Sequence, residues 1–163
     1  MNIESAKQHL FEFINALPKL FNGVTIEYEF GEGRPFIGDE SAEDFRGMLG
    51  GHSAAFKSGL YLFATQENEI IYIGKATKNN LHSRTMSHVG VPERKNRWMT
   101  FPSTAFSDCL ENPELVNNIR DGKIRLHVFS VSDATVISLV EVYMQTVYLK
   151  NVGRLPYFNK QIG

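Results

Sequence analysis

Hydrophobic positions along the chain follow two rhythms. Leu10, Phe11, Phe13, Ile14 and Leu17 recur at helical spacing behind Ser5 and Gln8, whose separation fits a capping box, and Pro18 closes that helix. Val24, Ile26, Tyr28 and Phe30 alternate with Thr25, Glu27 and Glu29, the period of a half-buried strand. Gly31 to Gly38 reads as a loop, and Ser41 with Asp44 opens a short helix that the Gly50-Gly51 pair stops near Leu49. Two apolar runs, 59–65 and 70–74, are joined by Gln66-Glu67-Asn68-Glu69, short enough for a β-hairpin. Asn79 or Asn80 can cap a helix over 81–89, residues 90–112 are irregular, and a short helix can start at Pro113. The segment 123–130 alternates again, with Ile124, Leu126 and Val128 against Arg125 and His127. Asp133 caps the strongest helix, 134–150, which Gly153 and Pro156 end. This order of elements predicts a mixed α+β (α/β) fold.

Composition narrows the classes. A chain of 163 residues with 42% hydrophobic and 21% charged side chains is the size and make-up of one folded domain, not of a disordered or fibrous chain. One cysteine, Cys109, excludes an internal disulfide framework and a Cys-rich zinc site. The start at Met1 shows no secretory pattern and no run approaches about 20 apolar residues, so the expectation is a cytoplasmic protein without a membrane span. The formal net charge of −1 means that binding to a polyanion has to come from a local patch. Such a patch exists. Residues 75–97 hold Lys75, Lys78, Arg84, Arg94, Lys95 and Arg97 against Glu93 alone, whereas residues 1–58 carry nine acids to five bases. On charge alone, the basic stretch reads first as a solvated face.

Four further features carry chemistry. Gly59-Leu60-Tyr61 and Tyr72-Ile73-Gly74 put one glycine and one tyrosine on each hairpin arm, which by themselves fit ordinary strand packing as well as a site. Arg84 and His88 share a helix face at i and i+4, pairing a phosphate clamp with a neutral-pH proton carrier. Glu141 is the one carboxylate of its helix, with Ser138 and Gln145 on the same narrow stripe. Inside a helix apolar over most of its circumference it needs a cation, which leaves a structural ion pair and a divalent metal both open. Asn159 follows Pro156 in a turn that it can brace.

In this order and at these separations the motifs resemble the GIY-YIG nuclease superfamily over about residues 59–163. The first tripeptide stands here with Leu60 in place of Ile, and the second is intact. The resemblance implies a small, mainly antiparallel three-stranded sheet flanked by helices. Residues 1–58 would then be an N-terminal helix–strand extension packed on a 59–163 nuclease domain with an insertion around 90–122. It implies a metal-dependent DNA endonuclease in which Glu141 holds Mg²⁺ or Mn²⁺ and Arg84 neutralises the scissile phosphate. Tyr61 would be general base and Tyr72 would orient water or phosphate. Lys75 or His88 would assist Tyr61, a choice the residues leave open, because a free phenol with a pKa near 10 is protonated at neutral pH. Gly59, Gly74 and Asn159 would support the site, while Lys78, Arg94, Lys95 and Arg97 would follow DNA; His52 and Lys57 are further candidates for contacts. His88, the insertion and the short tail after Asn159 favour a type II restriction-like enzyme, and a palindrome cutter would act as a homodimer. The alternatives are a structure-specific or single-strand nuclease, and a non-catalytic module that binds nucleic acid or a partner on the same fold.

Overall fold

The computed structural model describes residues 1–35, 49, 52–87, 114, 118 and 123–163. The expected helices near 41–49 and from Pro113, and the irregular stretch 90–112, lie outside these residues apart from single positions. Three α-helices are described, α1 (Ile3–Ala16), α2 (Leu81–Met86) and α3 (Ile137–Val152). Five strands accompany them: β1 (Ile26–Tyr28), β2 (Arg34–Pro35), β3 (Gly59–Ala64), β4 (Ile70–Ala76) and β5 (Arg125–Val131). The fold is α+β. Every pairing is antiparallel, in the order β1-β5-β3-β4 with β2 beside β5. The sheet is therefore wider than three strands, because segments before residue 59 add β1 and β2 along the far side of β5.

Local chemistry explains the boundaries. Asn2, not Ser5, caps α1; its Oδ1 accepts from the Ser5 amide at 2.9 Å, so the residue expected to cap is the one being capped. Asp133 does cap, accepting from the Thr135 amide at 2.9 Å, but the turn it starts (Ala134–Val136) is a 3-10 turn that runs into α3. Gly153 ends α3 at φ 81°, the left-handed conformation glycine adopts without a Cβ penalty.

The alternation of β3 divides the core. Tyr61 and Phe63 face one side with Leu126, Val128, Ile71 and Leu81. Leu60 and Leu62 face the other, where α1 contributes Ile3, Ala6 and Leu10 and α3 contributes Ile137, Val140, Met144 and Tyr148. Each buried Leu, Ile, Val, Phe or Met among them stabilises the fold by roughly 1.5–3 kcal/mol through burial. Phe13 of α1 stacks on Tyr143 of α3 at 3.9 Å between ring centres. Among the described residues no helix is long and apolar enough to cross a membrane.

His127, opposite Leu62 in β5, is buried on the α1 side with the Tyr28 hydroxyl 2.7 Å from its Nδ1. Burial, helped by the charges of Lys7 and Arg125, pushes the imidazole down to about 4 from the usual 6.5. The unfolded chain then binds the extra proton first as the pH drops. The stability that neutral His127 contributes is present above about pH 6.5 and is lost as the pH falls from there towards about 4. Urea unfolding midpoints are expected to drop across that window, and His127→Gln is expected to flatten the drop. An unchanged slope in the variant would assign the effect to other groups.

Candidate active site

β4 lies at one edge of the sheet, and its alternation distributes the chemistry. Tyr72 and Gly74 point to the same face as Tyr61, which pairs directly with Gly74. Lys75 points to the opposite face, where α3 packs. The absence of a side chain at residue 74 is a packing requirement. A Cβ there would lie 2.6 Å from Tyr61 Cζ, 2.7 Å from Tyr61 Oη and 2.7 Å from Tyr72 Cε1. Gly59 meets a different obstacle, the Phe129 carbonyl oxygen of β5, which a Cβ would approach to 2.1 Å.

The two phenols form a pair. Their rings lie 5.9 Å apart and tilted by 33°, and a hydrogen bond joins the two hydroxyls. Tyr61 is wholly buried, whereas Tyr72 is partly exposed. Burial pushes both phenols above the usual range, Tyr61 far more strongly. The bond with Tyr61 works the other way on Tyr72, favouring its deprotonated form. Both phenols feel the Arg84 guanidinium, which lowers their titration, and the Glu141 carboxylate, which raises it.

Arg84 stands exposed on α2, a helix fastened at its start to the chain before β3. The Leu81 amide donates to the Lys57 carbonyl at 3.2 Å. In the preceding turn the Asn79 amide donates to Ser58 Oγ at 2.8 Å, and Ser58 Oγ donates to Asn79 Oδ1 at 2.9 Å. Asn79 has a positive φ of 53°, a conformation asparagine tolerates better than most residues. Asn80 occupies the cap position without a side-chain capping bond. The Ser58–Asn79 clamp bridges positions 21 apart, so no local pattern announced it.

Glu141 projects from α3 into the structure and meets Lys75, with Nζ 2.6 Å from Oε2. The partner of the mid-helix acid is thus the base that directly follows the second motif. The approach lies off the directions of good hydrogen bonding, so Oε2 is a buried oxygen with a charge partner and no well-formed hydrogen bond. Of the polar stripe of α3, Glu141 and Gln145 face inward and are buried, whereas Ser138 is exposed. Leu139 and Val142 are instead 42% and 37% exposed, so this helix is less enclosed than its apolar composition predicts. Gln145 Nε2 donates to the Ile73 carbonyl at 3.2 Å. Asn159 completes that edge of β4: its Oδ1 accepts from the Ile73 amide at 2.9 Å and its Nδ2 donates to the Ile73 carbonyl at 2.8 Å. Phe158 adds its amide to the Ile71 carbonyl at 3.0 Å. The C-terminal turn thus holds the edge strand just before Gly74 and Lys75.

The sequence-predicted residues separate as follows. Tyr61, Tyr72, Gly74, Lys75, Arg84, Glu141 and Asn159 gather around one end of β4, and Gly59 pairs with its last residue, Ala76. Lys78 is exposed in the β4–α2 connection. His88, Arg94, Lys95 and Arg97 lie outside the described residues. Lys57 is held by Glu29 at 2.7 Å and Glu27 at 3.2 Å, and His52 Nδ1 accepts from the Ala54 amide at 3.1 Å, so both serve local structure, not a basic face.

A divalent metal is compatible with the acid, though not as a protein cage. Among the described residues no group of three or more His, Cys, Asp or Glu could hold a metal. Glu141 Oε2 is a hard, buried oxygen lacking a hydrogen bond, and Mg²⁺ commonly binds through one or two carboxylates and keeps several waters. No family model matches the chain, and no curated protein or solved structure shows a significant similarity to it.

Proposed function

We propose that this chain is a metal-dependent endonuclease hydrolysing DNA phosphodiester bonds. The supporting observation is the convergence near the edge of β4 of a pair of adjacent phenols, an exposed guanidinium and a buried carboxylate, the last two each acting electrostatically on both phenols. Phosphodiester hydrolysis requires a proton acceptor for water, positive charge for the developing phosphorane and help for the leaving oxygen. Arg84 meets the second need with a fork that matches two phosphate oxygens. Glu141 would hold Mg²⁺ or Mn²⁺, which when bound supplies Lewis-acid stabilisation of the leaving 3′ oxygen.

Burial supports a division of labour between the phenols opposite to the one expected from the motifs. Tyr61 is sealed from water, with its hydroxyl hydrogen-bonded to that of Tyr72. Tyr72 reaches solvent, and the bond with Tyr61 favours its phenolate. In this reading Tyr72 first gives up its own proton to solvent, helped by the nearby Arg84 guanidinium, and as a phenolate takes the proton of the attacking water, while Tyr61 positions it. Lys78 would steer the DNA backbone from the β4–α2 connection. A restriction-like enzyme acting as a homodimer is the preferred subtype, on His88 and the insertion around 90–122.

One observation favours a second reading. The Lys75–Glu141 contact satisfies the acid without a metal, as a non-catalytic module that binds nucleic acid or a partner would require. Incubating supercoiled plasmid with the protein and Mg²⁺ or Mn²⁺ separates the two. Wild type is expected to nick or linearise the plasmid, Glu141→Ala to leave it supercoiled. Plasmid untouched by the wild type under either metal supports the binding module; equal cutting by both proteins traces the activity to a contaminant.

A further inference from the structure

Lys75 and Glu141 come from an edge strand and from the middle of α3, and the unequal exposure of their side chains, 30% against 7%, makes the lysine the partner able to move. At Oε2 the lysine supplies charge compensation without the directional bond that anchors the strongest ion pairs. An ammonium on a flexible four-carbon stem can swing away while its Cα stays in the sheet. A divalent cation needs the same carboxylate, and two cations against one buried carboxylate repel each other strongly where water screens poorly.

On the nuclease reading above, we propose that Lys75 is a resident counter-ion that leaves Glu141 when a divalent cation is taken up, its freed ammonium turning to the substrate phosphate. In the free protein the lysine keeps a buried carboxylate neutralised, which permits an acid in this apolar helix. The same contact makes the DNA-free protein a weak metal binder. A phosphate in the cleft offers the ammonium another partner, so DNA and metal each strengthen the binding of the other. A metal-poor enzyme without DNA is then held inactive by its own lysine.

The test is Mn²⁺ binding to the intact, DNA-free protein, read from the spectrum of free Mn²⁺. Lys75→Met is expected to bind about tenfold more tightly than wild type, the scale on which a nearby like charge alters an ionic equilibrium. Lys75→Arg, which keeps the charge, is expected to stay near wild type, and Glu141→Gln to lose binding. Unchanged or weaker binding by Lys75→Met overturns the proposal, and so does binding that survives Glu141→Gln. Should Lys75→Met fold poorly with its acid uncompensated, Lys75→Gln serves instead. Mn²⁺ is expected to raise the unfolding temperature of Lys75→Gln more than that of wild type, and an equal or smaller rise overturns the proposal. The nuclease reading fails separately: a wild type that never cuts plasmid sinks it even if Lys75→Met tightens Mn²⁺ binding. A cutting wild type whose Mn²⁺ affinity ignores residue 75 sinks only the counter-ion.

Discussion

Arg84→Ala is expected to lower the single-turnover rate of DNA cleavage by about 10³-fold, with a much smaller loss of DNA affinity. Negative charge on the phosphoryl oxygens grows as the reaction proceeds, so a guanidinium beside them interacts more strongly with the transition state than with bound DNA. Binding is spread over several phosphates, so one contact fewer weakens it modestly. Arg84→Lys keeps the charge and loses the fork, and is expected to recover part of the rate. A second signature follows from the phenols. Arg84 lowers the titration of both Tyr61 and Tyr72. Without it both move further up, and because Tyr72 acts as a base the rising limb of the residual pH–rate profile should move to higher pH. A variant with near-normal turnover on saturating DNA but a large loss of affinity would make Arg84 a docking residue and remove it from the chemistry.

The hairpin was the most legible part of the chain, because two apolar runs separated by four polar residues have one economical solution. Expected at 59–65 and 70–74, the strands are β3 (Gly59–Ala64) and β4 (Ile70–Ala76). The Glu141 helix was legible for a similar reason, a long apolar pattern bracketed by Asp133 and Gly153. The start of α1 was misjudged, since Asn2 and Ser5 are both good caps and only the tertiary fit decides between them. The width of the sheet was hidden because β2 is two residues long and pairs with β5, far away in sequence. Within the site, residue types were legible and burial was not. Nothing in Gly59-Leu60-Tyr61 says that Tyr61 is sealed while Tyr72 reaches solvent. Periodicity requires a cation for Glu141 but does not name Lys75, which reaches the acid only because two elements distant in sequence meet at the edge of the sheet.

The same edge makes Gly74→Ala the most informative single methyl group in the molecule. At Gly59 a Cβ would run into the backbone of β5, so the sheet itself would have to part. At Gly74 it would run into two side chains, at 2.6 and 2.7 Å where carbon atoms prefer about 3.5–4.0 Å. Tyr61 cannot swing away, being fully buried with Phe63 edge-on to its ring at 5.9 Å. Tyr72, partly exposed, is the ring that yields, and in yielding it breaks its hydrogen bond with Tyr61. The expected result is a folded protein destabilised by about 1–3 kcal/mol in urea unfolding, the usual range for overpacking. Cleavage should fall by about 10²-fold or more, the scale of a lost proton-transfer group. Metal binding at Glu141, on the other face of β4, should persist. That combination distinguishes damage to the phenol pair from general unfolding, which would remove stability, metal binding and cleavage together. If Gly74→Ala cuts DNA at the wild-type rate, a displaced Tyr72 is compatible with turnover, and the phenol pair has no part in the reaction.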